Sequence, residues 1–141
     1  MKKSVLILCT HNSSRSQMAE GLLRHDGGKY FDVESAGTDV TSVRGEAIEV
    51  LAELGIDISR HRSKAIQEFS DRKFDYVITV CDSAKESCPY FPGKKILHWS
   101  FEDPSKAQGS HQERLAEFRK IRDQIRRALQ EFIEQERKIL I

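Results

Sequence analysis

The sequence predicts an α/β fold, a four-stranded parallel sheet flanked by helices. Three observations carry that prediction. Val5-Leu6-Ile7-Leu8 is apolar without alternation, as in a strand covered on both faces. Stretches of strand character at 31–36, 75–80 and 95–98 are separated by stretches of helical spacing, the rhythm of βαβ units. The first strand also stops at a cysteine, and five mostly small polar residues later Arg15-Ser16 open a helical pattern.

The first strand covers 4–8. Residues 16–25 place Met18, Leu22 and Leu23 on one helical face, and Gly27-Gly28 ends that helix. Phe31-Asp32-Val33-Glu34-Ser35-Ala36 alternates, as a strand nearer the sheet edge does, before Gly37-Thr38 breaks it. A second helix is expected over 46–54, with Ile48, Leu51 and Leu54 inward and Gly55 as its stop. A connector at 56–59 follows, and 63–69 suits a single extra helical turn with Ile66 and Phe69 inward. The third strand, 75–80, also stops at a cysteine, Cys81. After the fourth strand at 95–98, a loop over 99–109 carries Glu102-Asp103-Pro104. The last helix, 111–135, has a buried stripe of Leu115, Phe118, Ile121, Ile125, Leu129 and Phe132. The C-terminal ends of parallel strands share one side, so the loops leaving the first, third and fourth strands meet there.

The 141 residues are 38% hydrophobic, which suits a single domain over 1–141 with one sizeable core. The net charge is +1 and charges of both signs are spread throughout, so neither nucleic acid nor an anionic membrane is expected as a partner. No run approaches the ~18 apolar residues of a membrane span, and the apolar stretch after Met1-Lys2-Lys3 is too short for a signal-peptide core. A cytoplasmic location is expected. Three cysteines in such a chain suit reactive thiols better than a disulfide scaffold.

Cys9 and Arg15 frame an anion cradle with a nucleophile in it. The five residues between them, Thr10, His11, Asn12, Ser13 and Ser14, form a loop whose backbone N–H groups can converge on one oxyanion. The following helix adds the positive end of its dipole. Arg15 offers a planar fork for two oxygens of a tetrahedral anion. The same field favours a thiolate at Cys9. Cysteine also ends buried strands as a small hydrophobe; the apolar strand before it, and Ser16 and the helix after, decide for chemistry.

Asp103, held on a stiff loop by Pro104, is placed to protonate an oxygen that leaves when a thiolate attacks an oxyanion. Asp-Pro also opens ordinary turns, and only the company of Cys9 and Arg15 favours the catalytic reading. Cys81 and Cys88 leave several readings open. They stand close enough for a disulfide if the chain between them bends, though not on a regular helix. A metal site shared with His98 lacks a fourth ligand at any standard spacing. Cys81 as core with Cys88 incidental is a further reading. Thiolate attack on a neighbouring sulfur adduct would use all three cysteines in series.

The runs CTHNSSRSQMAEG, ESAGT, DISRHRS, VCDSAKESCP and HWSFEDP resemble the thioredoxin-coupled arsenate reductases, which share the low-molecular-weight protein tyrosine phosphatase fold. The resemblance extends over about 5–132 and implies a three-layer fold and a thiol relay. It implies that Cys9 attacks arsenate held by residues 10–16, Arg15 above all, while Asp103 protonates the departing hydroxide. Cys81 then attacks the Cys9 sulfur, releasing arsenite, and Cys88 attacks Cys81, leaving a Cys81–Cys88 disulfide for thioredoxin. Ser16 is implied as hydrogen-bond donor to the Cys9 sulfur. Phosphate and sulfate are the competing anions. The resemblance implies neither cofactor nor metal in the chemistry, and a monomer is expected.

Three positions depart from the family. His11 stands where a glycine usually follows Cys-Thr; a positive φ there would be costly, and contact with substrate or with solvent are both open. Ser14 replaces a cysteine often found before the loop arginine. Asn12, Glu20 and Ser35 match three ligands of a potassium ion bound by many relatives, but Lys64 replaces the fourth, an aspartate. The Lys64 ammonium is expected to take the cation's place against Glu20 and support the loop, the alternative being a solvent-facing lysine.

Two rival functions remain at this point. One is a low-molecular-weight phosphotyrosine phosphatase using Cys9, Arg15 and Asp103, disfavoured because Ser105-Lys106 follow Pro104 where aromatic residues usually wall in the substrate ring. The other is a non-enzymatic oxyanion-binding or redox-sensing module. The apolar end Ile139-Leu140-Ile141 is expected to pack on the domain, mediate contact or fray.

Overall fold

The computed structural model describes residues 2–82 and 84–140. Ser83, between the two later cysteines, and Ile141, in the apolar end, lie outside the described residues. In chain order the elements are β1 (Lys3–Cys9), α1 (Arg15–Gly27), β2 (Phe31–Gly37), α2 (Gly45–Ala52), β3 (Tyr76–Thr79), β4 (Lys95–His98) and α3 (His111–Leu140). Short 3-10 turns occur at Ile66–Phe69 and Pro104–Lys106.

The four strands form one parallel sheet in the order β2-β1-β3-β4. β1 is interior, which explains its unbroken apolar run: Val5, Leu6, Ile7 and Leu8 are all fully buried. Val5 and Ile7 face the larger core, built with Met18, Leu22 and Leu23 of α1, Leu51 of α2 and the α3 stripe. Leu6 and Leu8 face a smaller one, closed by Phe69 of the first 3-10 turn together with Phe74 and Phe91. β2 lies at the edge, as its alternation predicts, with Phe31 and Val33 buried and Asp32 exposed.

Two helices differ from expectation. α2 spans Gly45–Ala52 and buries Ala47, Val50 and Leu51, while Ile48 and Leu54 are only partly buried against the core. Leu51 is inward as expected, and the neighbouring helix provides its seat. A Cβ at Gly21 of α1 would lie 2.7 Å from both Leu51 and Ile58, so the missing side chain forms the notch that seats Leu51. α3 runs past residue 135 to Leu140. The buried Glu136 accounts for the extension, accepting hydrogen bonds from the Tyr76 hydroxyl at 2.7 Å and from Lys95 Nζ at 3.1 Å. The whole expected stripe from Leu115 to Phe132 is buried, whereas Ile139 is exposed. No helix among the described residues is long and apolar enough to cross a membrane.

Candidate active site

Cys9 is the last residue of β1 and Arg15 the first of α1, so the loop between them sits at the C-terminal edge of the sheet. Its carbonyls are bonded outward. Thr10, His11 and Ser13 accept from the amides of Asp39, Thr41 and Arg44, and Asn12 accepts from Ser63 Oγ at 2.7 Å. A trans peptide sets each N–H opposite the preceding C=O, so the amides of residues 11–14 turn away from these donors and into the loop. Gly37, at the end of β2, is part of the same construction. A Cβ there would lie 2.5 Å from the Thr10 oxygen and 2.9 Å from that of Cys9.

The positive φ of the loop falls at Asn12, at 51°, and not at His11. Asparagine tolerates this region, and here its side chain is bonded on both ends. Its Oδ1 accepts from the Lys64 amide at 2.8 Å and from Gln17 Nε2 at 2.9 Å. Its Nδ2 donates to Ser16 Oγ at 2.7 Å and to Ser35 Oγ at 2.9 Å. His11 instead bonds the Asp39 carbonyl through Nδ1 at 2.7 Å, on the rim of the site.

Ser16 Oγ lies 2.9 Å from Cys9 Sγ. Asn12 donates to that hydroxyl, and the Ser16 proton is free to be donated to the sulfur when Cys9 is a thiolate. The chain of bonds continues through Ser35 to the buried carboxylate of Glu20, which also meets Lys64 Nζ at 3.1 Å and Arg24 at 2.9 Å. Burial pushes the Glu20 carboxyl up, but the Lys64 charge and the Ser35 bond outweigh it and leave its pKa below the ordinary value. The Lys64 side chain is only 12% exposed, so it is not solvent-facing.

Cys81 and Cys88 are joined in a disulfide, with Cα atoms 6.0 Å apart, and Cys9 is a free, buried thiol. Of the readings left open for this pair, the bent segment is the one realised: the amides of Lys85 and Glu86 both bond the Asp82 carbonyl at 3.0 Å. His98 bonds Thr79 Oγ1 at 2.9 Å. Cys81 is fully buried and Cys88 half-buried.

The Arg15 fork is engaged by a residue that sequence reasoning missed. Glu86 accepts from Arg15 NH1 at 2.8 Å and NH2 at 2.9 Å, from Thr10 Oγ1 at 2.9 Å and from the Asp82 amide at 3.2 Å. Arg15 NH1 also donates to the Phe101 carbonyl, and NH2 lies 3.7 Å from Asp103. The turn reading of Asp103-Pro104 is realised, and the same carboxylate lies next to Arg15. It caps the 3-10 turn through Ser105. Ser13 and Ser14 are buried in the loop, and among the described residues Ser14 Oγ is the one buried side-chain polar atom without a partner.

The sequence from 4 to 139 matches the family model of the low molecular weight phosphotyrosine protein phosphatases. The arsenate reductase of Halalkalibacterium halodurans is 42% identical over 134 residues, covering 94% of this chain and 96% of the relative. The chain belongs to the low-molecular-weight phosphotyrosine protein phosphatase family, in its arsenate reductase branch.

Solved members of that branch share the fold. An arsenate reductase in the phosphate binding state superposes with a TM-score of 0.80 at 32% identity, covering 96% of this chain and 98% of the other. A thioredoxin-dependent arsenate reductase of Corynebacterium glutamicum gives 0.67 at 32% identity, covering 96% of this chain and 63% of the other. The arsenate reductase branch thus supplies the architecture. Glu86, which sits on the arginine of the family's phosphatase-like loop in this chain, has no periodicity or motif of its own. Its only sequence signal is its place between two cysteines that the fold brings to the loop.

Proposed function

We propose that this protein reduces arsenate to arsenite through three thiols in series, with thioredoxin as reductant. The observation that supports this most directly is a Cys81–Cys88 disulfide after the strand paired with β1, together with a free Cys9 at the end of β1. Ester hydrolysis by Cys9, Arg15 and Asp103 would leave that pair without a task.

In this reading the loop amides, Thr10, the free Ser14 hydroxyl and Arg15 bind arsenate against competing phosphate or sulfate. The Cys9 thiolate, in hydrogen-bond contact with the Ser16 hydroxyl, bonds to arsenic, and the displaced hydroxide takes a proton from Asp103. The Cys81 thiolate then attacks the Cys9 sulfur. A Cys9–Cys81 bond forms, the sulfur–arsenic bond breaks, and its electron pair stays on arsenic as arsenite. Cys88 attacks Cys81 and frees the Cys9 thiolate, so the two electrons lost by protein sulfur end as the Cys81–Cys88 bond. A thioredoxin dithiol returns two electrons and two protons. Lys64 takes the role of a loop-supporting cation through Glu20 and makes potassium unnecessary. A monomer working in the reducing cytoplasm is the setting that matches a thioredoxin-recycled disulfide.

The decisive experiment follows NADPH consumption with thioredoxin and thioredoxin reductase after addition of arsenate. Sustained consumption that is lost in both Cys81→Ser and Cys88→Ser supports the relay. Hydrolysis of a phosphotyrosine analogue, unchanged in both variants and without arsenate-driven turnover, would replace it with the phosphatase reading.

A further inference from the structure

We propose that Glu86 is a built-in occupant of the anion site: while Cys81 and Cys88 are joined, its carboxylate takes the place of an oxyanion on Arg15 and keeps inorganic anions out of the oxidised protein. The inference rests on reading residues 9–16 as an oxyanion loop, and it concerns a residue outside the relay.

The contacts of Glu86 are those of a ligand. Two planar oxygens take the two terminal nitrogens of Arg15 as a parallel pair, the arrangement by which a guanidinium holds two oxygens of phosphate or arsenate. A third bond comes from Thr10, inside the loop, and a fourth from the Asp82 amide. Arg15 is almost wholly buried, and Glu86 engages both of its terminal nitrogens. A second anion on the same nitrogens would lie against the carboxylate, where like charges repel strongly in a partly desolvated site.

The disulfide makes this occupancy conditional. Glu86 lies two residues before Cys88, and the Cys81–Cys88 bond closes the segment into a turn whose amides fold back on Asp82. That closure sets where the Glu86 side chain begins. Reduction opens the cross-link, and Glu86 then meets an incoming dianion without the cross-link holding its backbone in place, so that a multiply charged oxyanion with loop amides at its disposal displaces it. Anion binding and disulfide state are therefore linked in both directions. An anion that binds the reduced form alone also makes the disulfide easier to reduce.

The test is binding of inorganic phosphate to the full chain by isothermal titration calorimetry. It is run on the disulfide form and after reduction by dithiothreitol, which supplies two electrons and two protons per bond broken. Wild type, Glu86→Gln and Glu86→Ala are compared. The expected result is that oxidised wild type binds phosphate at least about tenfold more weakly than reduced wild type, and that oxidised Glu86→Gln and Glu86→Ala recover most of the difference. Saturating phosphate then raises the midpoint potential of the wild-type disulfide by about 30 mV for a tenfold preference, and by less in the variants. Equal phosphate binding by both forms of wild type overturns the proposal, as does oxidised variant protein binding as weakly as oxidised wild type. Neither result touches the oxyanion-loop reading. That reading falls, and the proposal with it, only if reduced wild type binds no phosphate, whereas a failure of arsenate turnover leaves the binding result standing.

Discussion

Glu86 sets one carboxylate oxygen on each terminal nitrogen of Arg15, at 2.8 and 2.9 Å, although 71 positions separate the two residues. Burial opposes both charges, yet the shared hydrogen bonds prevail: the Arg15 pKa is raised above its ordinary value, and that of Glu86 is lowered to about 2.

The pair makes the oxidised protein acid-sensitive in a defined window. The folded pKa of Glu86 lies below its ordinary 4.5, so the contribution is fully present above about 4.5 and fades as pH falls through about 2. Urea unfolding of oxidised wild type and Glu86→Gln should show a constant gap from neutral pH down to about 5 that closes at lower pH. A gap that widens on acidification would contradict the assignment.

Ser16→Ala removes the hydroxyl 2.9 Å from Cys9 Sγ. Hydrogen bonds to charged groups are worth about 1.5–3 kcal/mol, so arsenate reduction should fall about ten- to hundredfold. Alkylation of Cys9 by iodoacetamide at neutral pH should slow in parallel.

Lys64→Met takes one cation from the buried Glu20 carboxylate, leaving Arg24 at 2.9 Å. With a partner remaining, the expected destabilisation is about 2 kcal/mol, below the 3–5 of an orphaned buried charge. Exchanging sodium for potassium should leave wild-type activity unchanged, and a potassium requirement would remove the role given to Lys64.

Gly37→Ala forces a Cβ within 2.5 Å of the Thr10 oxygen, a backbone atom that moves only with the loop. Reduced protein should keep its circular dichroism but lose about tenfold or more in phosphate affinity, since small displacements of a binding loop are costly.

Phe132→Ala empties the centre of an aromatic cluster, with ring centroids at 5.2 Å to Phe31, 5.1 Å to Tyr76 and 6.1 Å to Trp99. A loss of about 3–5 kcal/mol in denaturant unfolding is expected.

Strand, loop and helix around Cys9 were legible because they are consecutive. Apolar runs, helical spacing and a Cys-to-Arg interval are local patterns, and the physics that reads them needs no distant partner. The α3 stripe was legible for the same reason. Two details were set by remote contacts. Leu51 of α2 seats in the notch that Gly21 of another helix opens, and Ala47 and Val50 share its buried face. The positive φ at Asn12 is held by Ser63 and Lys64, 51 and 52 positions away, which bond its backbone and side chain.

The chain's own order of residues was enough to specify a parallel sheet, an anion loop at its C-terminal edge and a third strand ending in a second cysteine. Beyond the place of Glu86 between two cysteines, it carried no sign that this carboxylate would lie on Arg15. That contact depends on β1 pairing with β3 and on the closure of 81–88 by a disulfide. Hydrophobic periodicity is written along the chain, whereas the partner of a charge is chosen by distance in space, and that distance exists only once the strands have taken their places.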